Sequence, residues 1–303
     1  MLKITKNFEE ANLVTHNGTF HTDDVFATMF MSKIISNPVV VRTGDVTNAR
    51  SDAIIYDIGY GKFDHHGPDA LMRDDKIKYC AFGLLWAEYG RDYLKTINEE
   101  DTEKLFKVID ENLIMQIDGI DNGLFPKVDA PYRLTDLDKV IDFFNKAWNE
   151  DVDNDDNFLK AVNIAEIIFD RIVLKENAKI VATKKVLEEM KNVREGILIL
   201  NEYMPYNEAI FSVENHGIKI VIFPSNRGGF NIKPVTVSKE SRELVCNFPK
   251  AYWGLHDEEL ANISGIDTAR FVHSTGFLGV TGTLDDAIKL ANKAINNEEA
   301  QED

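Results

Sequence analysis

The chain is poor in cysteine and has no surplus of positive charge, and each shortage closes off a class of function. Cys80 and Cys246 are its only two cysteines and lie far apart, so there is neither a disulfide framework nor a Cys-x-x-Cys zinc site. That fits a reducing compartment. Lys and Arg number 34 against 51 Asp and Glu, a net charge of -17, which excludes the extended basic surface from which long polyanions draw counterion-release affinity. A nucleic-acid ligand must then be held locally, where metal ions reverse the sign of one cleft. No apolar run approaches the ~18 residues of a membrane span. The N-terminal MLKITKNFEEANLVTH mixes acids with its lysines and has no signal-peptide core. The reading is of a soluble, cytoplasmic protein with no membrane partner.

What is present is a globular composition, 44% hydrophobic, over 303 residues. That exceeds the ~250 residues at which single cores stop growing, so two domains are expected. Short apolar runs alternate with amphipathic stretches: Asn12 to Thr15, Val25 to Ile35, Val39 to Val41, Ala53 to Tyr56, Ala81 to Tyr89 and Glu103 to Ile117. This β-α-β rhythm predicts an α/β fold: an N-terminal domain with a parallel sheet and covering helices, whose ligands gather beyond the carboxyl ends of the strands. WNEDVDNDDN reads as a solvated acidic loop, followed by a bridging helix over Phe158 to Asn192. From Gly196 the texture is β-type, in ILIL, EAIFSV, IKIVIF and GGFNIKPVTV. The end, FVHSTGFLGVTGTLDDAIKLANKAI, reads as strand, Gly-rich loop and helix, with Thr283 and Asp286 spaced as a capping box, and NNEEAQED as a frayed tail. The expected division is residues 1–190, metal-binding and including the bridging helix, and residues 191–303.

Four of the seven histidines fall in two short segments, HNGTFHTDD and FDHHG. The first carries His16, His21 and Asp23, the second Asp64, His65 and His66, and Asp57 in YDIG lies between them. QIDGIDNG adds Asp118 and Asp121 at the polar end of a helical pattern. Singly, each has an ordinary explanation: a histidine after a strand is usually a hydrogen-bonded loop residue, and an aspartate there a turn former or cap. Jointly they are hard to obtain from core packing, because buried histidine is uncommon and needs a partner. Imidazole and carboxylate without thiolate suit Mn2+ most naturally, and Zn2+, Fe2+ or Mg2+ less so. There are more donors than one ion uses, which points to two ions sharing a carboxylate, the arrangement that clamps attacking and leaving oxygens in phosphoryl transfer.

HNGTFHTDD, YDIG, FDHHG, QIDGIDNG, RGGFNIKP and VHSTGFLG, in that order over nearly the whole chain, resemble the MYG exonuclease family within the DHH phosphoesterase superfamily. The resemblance implies a di-metal centre in which Asp57 is the bridging carboxylate. His16 and His21 would hold the first metal with it; His65 would hold the second with Asp23 and Asp118. His66 would contact phosphate, and Asp64 would orient an imidazole. The first loop departs from the superfamily pattern His-x3-Asp-x-Asp: His16 is followed by four residues and then His21-x-Asp23, so a histidine stands where an aspartate is usual.

In such proteins a smaller C-terminal α/β domain closes over the cleft and grips the substrate. Arg227, Gly228 and Gly229, with Lys233, would meet phosphate, and Phe277 would stack on a base. His273, Ser274, Gly276 and Gly279 would supply donors ahead of a helix N-terminus. Arg227, His66 and His273 would neutralise phosphoryl oxygens while a metal-bound hydroxide attacks. The implied activity is stepwise 3′-5′ hydrolysis of RNA. Two other readings stay open: a small-substrate phosphoesterase acting on dinucleotides, nanoRNA or pyrophosphate, and a non-catalytic metal-dependent nucleotide-binding module. The Ser-Arg-Lys-Lys run of related pyrophosphatases is absent, which ranks pyrophosphate low.

Overall fold

The apolar runs near the N-terminus pair as a four-stranded sheet of order β1-β3-β2-β4, with β1 at Lys3–Thr5, β2 at Leu13–His16, β3 at Val39–Thr43 and β4 at Ile54–Ile55. Every pairing in it is parallel. The computed structural model describes residues 1–297 of an α/β protein, and the chain divides into two compact units, Met1–Asn177 and Ala178–Asp303.

Helix α1 (Thr22–Ile34) links β2 to β3, and α2 (Ala81–Lys95) follows the histidine loop. Phe30 of α1 packs against Phe82 and Trp86 of α2 and against Phe169, and Trp86 stacks on Phe106 at 5.2 Å. The expected Glu103 to Ile117 helix is interrupted: α3 (Thr102–Ile109) passes through a π turn at Asp110–Ile114 into α4 (Met115–Asp121), and α5 (Leu137–Asp142) comes next.

WNEDVDNDDN is not wholly solvated. Helix α6 (Asn154–Glu189) begins inside it, and Asp155 binds the Arg42 guanidinium at 2.9 Å. The Arg42 side chain has no exposure, and a charge so buried needs an anion beside it. The pattern of α6 is that of a one-sided stripe: Phe158, Ala161, Val162, Ala165, Phe169 and Val173 are buried. The division between the units falls within α6.

The second unit holds β5 (Ile197–Ile199), α7 (Asn207–Phe211), β6 (Ile220–Pro224), β7 (Phe230–Pro234), α8 (Asp257–Ser264), β8 (Ala269–Val272), β9 (Gly279–Thr281) and α9 (Leu284–Ile295). Its sheet has the order β5-β6-β7-β9-β8, with β5 and β6 parallel and the other pairs antiparallel. Ile222, Ile232 and Val272 pack with Leu260 of α8 and Leu290 of α9, whereas Leu198, Val221 and Val235 form a separate cluster with Ile210. EAIFSV, expected as a strand, contains helix α7: the adjacent Ala209 and Ile210 are both buried, which a half-buried strand cannot arrange because neighbours alternate faces. The Gly-rich loop before α9 also contains a strand, β9. Residues 298–303 of the expected frayed tail lie outside the described residues. Among the described residues no helix is long and apolar enough to cross a membrane.

Candidate metal centre

Strand register builds the centre. β2 and β4 are parallel neighbours with Leu13 opposite Ile54 and Val14 opposite Ile55. Two residues beyond Val14 and Ile55 the chain reaches His16 and Asp57, which therefore lie side by side at the carboxyl edge of the sheet. Asp57 sits in the left-handed region at φ 57°, a conformation that aspartate tolerates better than most residues and that concentrates at functional sites. Its N–H donates to the Phe63 carbonyl at 3.0 Å, tying it to the segment that carries His65 and His66.

The two oxygens of Asp57 face two different imidazoles: Oδ2 is 3.2 Å from His16 Nε2, and Oδ1 is 3.1 Å from His65 Nε2. His16 Nε2 also lies 3.3 Å from Asp24 Oδ2, and His65 Nε2 lies 3.3 Å from Asp121 Oδ2 and 3.8 Å from Asp23 Oδ2. Three ligand-competent groups result: His16, Asp24 and Asp57; Asp57, His65 and His66; and His21, Asp23 and Asp121. Asp57 belongs to the first two.

Second contacts orient the rings. His16 Nδ1 is 3.0 Å from the Asn17 carbonyl, which can only accept, so Nδ1 carries the proton and Nε2 is turned to the carboxylates. His66 is half-exposed, and its Nδ1 lies 2.8 Å from Asp64 Oδ1, which also accepts the His66 backbone N–H. Asp64 Oδ2 accepts the Tyr60 N–H. Asp64 thus orients His66, and among the described residues Nε2 of that ring makes no hydrogen bond.

Four aspartates crowd this site. Burial pushes Asp23 well above the usual carboxylate range, and the charges of Asp57, Asp121 and Asp24 push it further. Burial raises Asp24 to about 7, against the pull of His16 and Arg42. Asp121 is raised by burial as well. For Asp57 burial is outweighed by hydrogen bonds with His16 and His65, which hold it at about 2. Burial would lower His16, but its hydrogen bond with Asp57 and the fields of Asp24 and Asp57 lift it to about 9.

The donor set fits divalent cations. Asp23 Oδ1, Asp24 Oδ2, Asp121 Oδ2 and His65 Nδ1 are buried without a hydrogen-bond partner, a costly state for carboxylate oxygens that a bound cation relieves. All the donors are imidazole nitrogen or carboxylate oxygen, the chemistry of Mn2+, Zn2+, Fe2+ or Mg2+ sites.

Asp118 is elsewhere. Its Oδ2 accepts from Arg73 Nε at 2.5 Å and its Oδ1 from the Cys80 N–H at 2.9 Å, at the start of α2. Arg73 in turn grips Asp110 through both terminal nitrogens. A Cβ on Gly83 would lie 2.1 Å from Asp118 Oδ1, so the glycine makes room for the carboxylate there. The ligand role expected of Asp118 is thereby corrected: Asp121, one helical turn on, faces His65 instead.

Sequence reasoning missed Asp24 and the clamp on the first loop. Asp24 Oδ1 accepts the His21 N–H, a helix-start contact, while Oδ2 faces His16. Asn145 accepts the Phe20 N–H at 3.0 Å and donates to its carbonyl at 2.8 Å. Arg42 and Asn154 both donate to the Gly18 carbonyl. The double aspartate of HTDD was the available signal for Asp24; the clamp residues had none.

In the second unit, Arg227 is exposed on the β6–β7 turn. Gly229 has φ 76°, and a Cβ there would meet the Thr281 carbonyl at 2.1 Å, so the turn requires glycine. Gly228, at φ 81°, precedes it. Lys233 Nζ lies 5.6 Å from the Phe277 ring centroid, and His273 is 4.4 Å from the same ring. Ser274 is exposed beside His273, and Gly276 packs against Trp253. The helix N-terminus expected to follow this loop as an anion site is not open. Strand β9 intervenes, Thr283 caps the N–H of Asp286, and Asp285 and Asp286 occupy the first turn of α9.

A family model described as "Uncharacterised protein family (UPF0160)", the MYG1 exonuclease model, matches residues 12–295. The chain is 28% identical over 320 residues to a MYG1 protein of Dictyostelium discoideum, covering 95% of this chain and 97% of that protein. It is 27% identical to a MYG1 protein of Schizosaccharomyces pombe, covering 94% and 97%. It is 25% identical to the MYG1 exonuclease of Homo sapiens, covering 93% and 85%. No solved structure matches it. With a family model that takes in both units and relatives aligned over nearly their full length, the chain belongs to the MYG1 family, UPF0160.

Proposed function

We infer that this protein is a metal-dependent phosphodiesterase acting as a 3′-5′ exoribonuclease, with two divalent cations, Mn2+ by preference, bridged by Asp57. The observation that carries this reading is the division of the Asp57 carboxylate between His16 and His65 amid buried, partly unpartnered Asp23, Asp24 and Asp121. The human, mouse and rat relatives are MYG1 exonucleases.

His16, Asp24 and Asp57 would hold one cation, and His65, Asp57, Asp23 and Asp121 the other; His21, expected beside His16 on the first, groups instead with Asp23 and Asp121 and would stand at the rim of the second. Such a pair lowers the pKa of water and neutralises charge on the phosphoryl group. His66, steadied by Asp64, donates from its exposed edge to a phosphoryl oxygen as charge develops there. Arg227, Gly228, Gly229, Lys233, His273, Ser274, Gly276 and Phe277 bind substrate in the second unit, a role resting on the family resemblance. Hydrolysis of 5′-labelled RNA in Mn2+ tests the reading, beside a dinucleotide and pyrophosphate. A ladder shortening from the 3′ end and abolished by EDTA supports it; cleavage of the dinucleotide alone contradicts it.

A further inference from the structure

The cleft over the metal centre has a volume of about 440 Å³ and lies wholly within the first unit. Besides the histidines and aspartates of the centre it is lined by Asp138 and Phe125. Asp138 belongs to none of the three ligand-competent groups, so the cations do not account for it. Thr22 Oγ1 donates to Asp138 Oδ1 at 2.9 Å, which fixes the carboxylate beside the start of α1, between the segments that carry His21 and Asp23. Among the described residues no hydrogen bond or ion pair takes its Oδ2.

Phe125 is 67% exposed, so the core does not account for its ring. With Ile120 it forms the wall between this cleft and a neighbouring apolar groove lined by Leu124, Pro126 and Leu134. The cleft therefore passes from a cation centre to a carboxylate acceptor and to an aromatic face. A carboxylate repels phosphate and needs a donor. A ring face takes a base.

We propose that the first unit reads the terminal nucleoside of its substrate: Asp138 accepts from the 2′- and 3′-hydroxyls of the last ribose while the base lies against Phe125. Asp138 has roughly four lone-pair sites and Thr22 takes one, which leaves room for two vicinal hydroxyls. Only the unblocked 3′ end of RNA presents both, since an interior ribose has lost its 3′-hydroxyl to the chain and deoxyribose lacks the 2′. The 2′-hydroxyl is the group by which proteins tell RNA from DNA, and carboxylates hold ribose hydroxyls in dinucleotide sites. A volume of about 440 Å³ falls within the ~300–1,000 Å³ of small-ligand sites. The inference rests on the exoribonuclease reading and deepens it by naming the residues that select the sugar, which the metal ligands do not.

Titration calorimetry of the full chain loaded with Mn2+ tests this with adenosine 5′-monophosphate and 2′-deoxyadenosine 5′-monophosphate, and needs no turnover. The ribonucleotide is expected to bind about tenfold more tightly or better, as a hydrogen bond to a charged acceptor provides. Asp138→Ala brings that ratio to about one, and Asp138→Asn, which can still accept from Thr22, gives a ratio in between. Phe125→Ala weakens both nucleotides about tenfold and keeps the ratio. Equal Mn2+ content in every variant shows that the centre is intact. Equal binding of the two nucleotides by the wild type, binding of neither, or an Asp138→Ala variant that weakens both alike would overturn the proposal, the last because a merely structural Asp138 behaves so. A chain that shows the predicted ratios yet shortens no 5′-labelled RNA supports the nucleoside site and refutes the nuclease reading alone.

Discussion

Asp57 Oδ2 lies 3.2 Å from His16 Nε2, and the pairing of β2 with β4 sets the two residues side by side. The sheet thus fixes one half of the centre before any loop is considered. The other oxygen of Asp57 reaches His65 through a loop that the Asp57 N–H ties back to Phe63.

Asp57→Ala is expected to abolish binding of both cations and to reduce RNA hydrolysis by more than about 10³-fold, beyond the 10- to 100-fold typical of orienting partners. Isothermal titration with Mn2+ and a labelled-RNA assay read the two effects. Hydrolysis equal to that of the wild type would remove the di-metal mechanism.

His66→Ala is expected to keep both cations and lose turnover by about 10²–10³-fold, the usual result of removing one donor to developing charge. Metal content and kcat on the same preparation separate the roles. Loss of a cation would make His66 a ligand.

Asp118 and Asp121 are expected to part company. Asp121→Asn weakens Mn2+ binding, whereas Asp118→Asn leaves two cations bound and lowers stability. Arg73→Ala strands the buried carboxylate of Asp118 and the half-buried one of Asp110 and is expected to cost about 3–5 kcal/mol in urea unfolding. An unchanged unfolding midpoint would contradict the structural role of the Arg73 pair.

The proton balance gives a signed pH prediction. Asp24, raised to about 7, and His16, raised to about 9, both keep protons in the folded apoprotein that the unfolded chain has already released. Stability therefore falls as pH rises from about 4 through 9, because the native state binds more protons over that range. Cations must displace those protons, so Mn2+ affinity rises over the same interval. The apoprotein should melt lower at pH 9 than at pH 6, and Mn2+ should close the gap. Apoprotein stability rising between pH 6 and 9 would contradict this.

Asn145→Ala removes both contacts to the Phe20 backbone in the loop between His16 and His21. A 10- to 100-fold loss of metal affinity is expected, read by competition with a metal indicator. Unchanged affinity would show that the loop holds its own shape.

Much of this centre was legible in the sequence because strand ends and ligands coincide: NLVTH and AIIYD each run from an apolar strand into a donor, and parallel pairing does the rest. The resemblance names Asp118 as the ligand from QIDGIDNG, and residue pattern alone does not choose between Asp118 and Asp121, which depends on the phase of α4. The π turn at Asp110–Ile114 closes a wider ring than an α turn and so shifts the rotational phase of α4, by about 100° for one extra residue, an irregularity that side-chain periodicity does not announce. Arg73, from a loop with no periodicity of its own, then claims Asp118. Asn154 and Asp155 read as members of a solvated acidic loop because their partners, Gly18 and Arg42, are more than a hundred residues away in sequence. Residues 269–281 read as strand and loop; β9 is three residues long, too short for alternation to register.

The central claim is a pair of cations sharing Asp57, and electron paramagnetic resonance during Mn2+ titration reads it directly. The account predicts two Mn2+ per chain with the signal of an exchange-coupled pair, and loss of that coupled signal in Asp57→Ala. Saturation at one ion, or two ions with independent spectra, would contradict it.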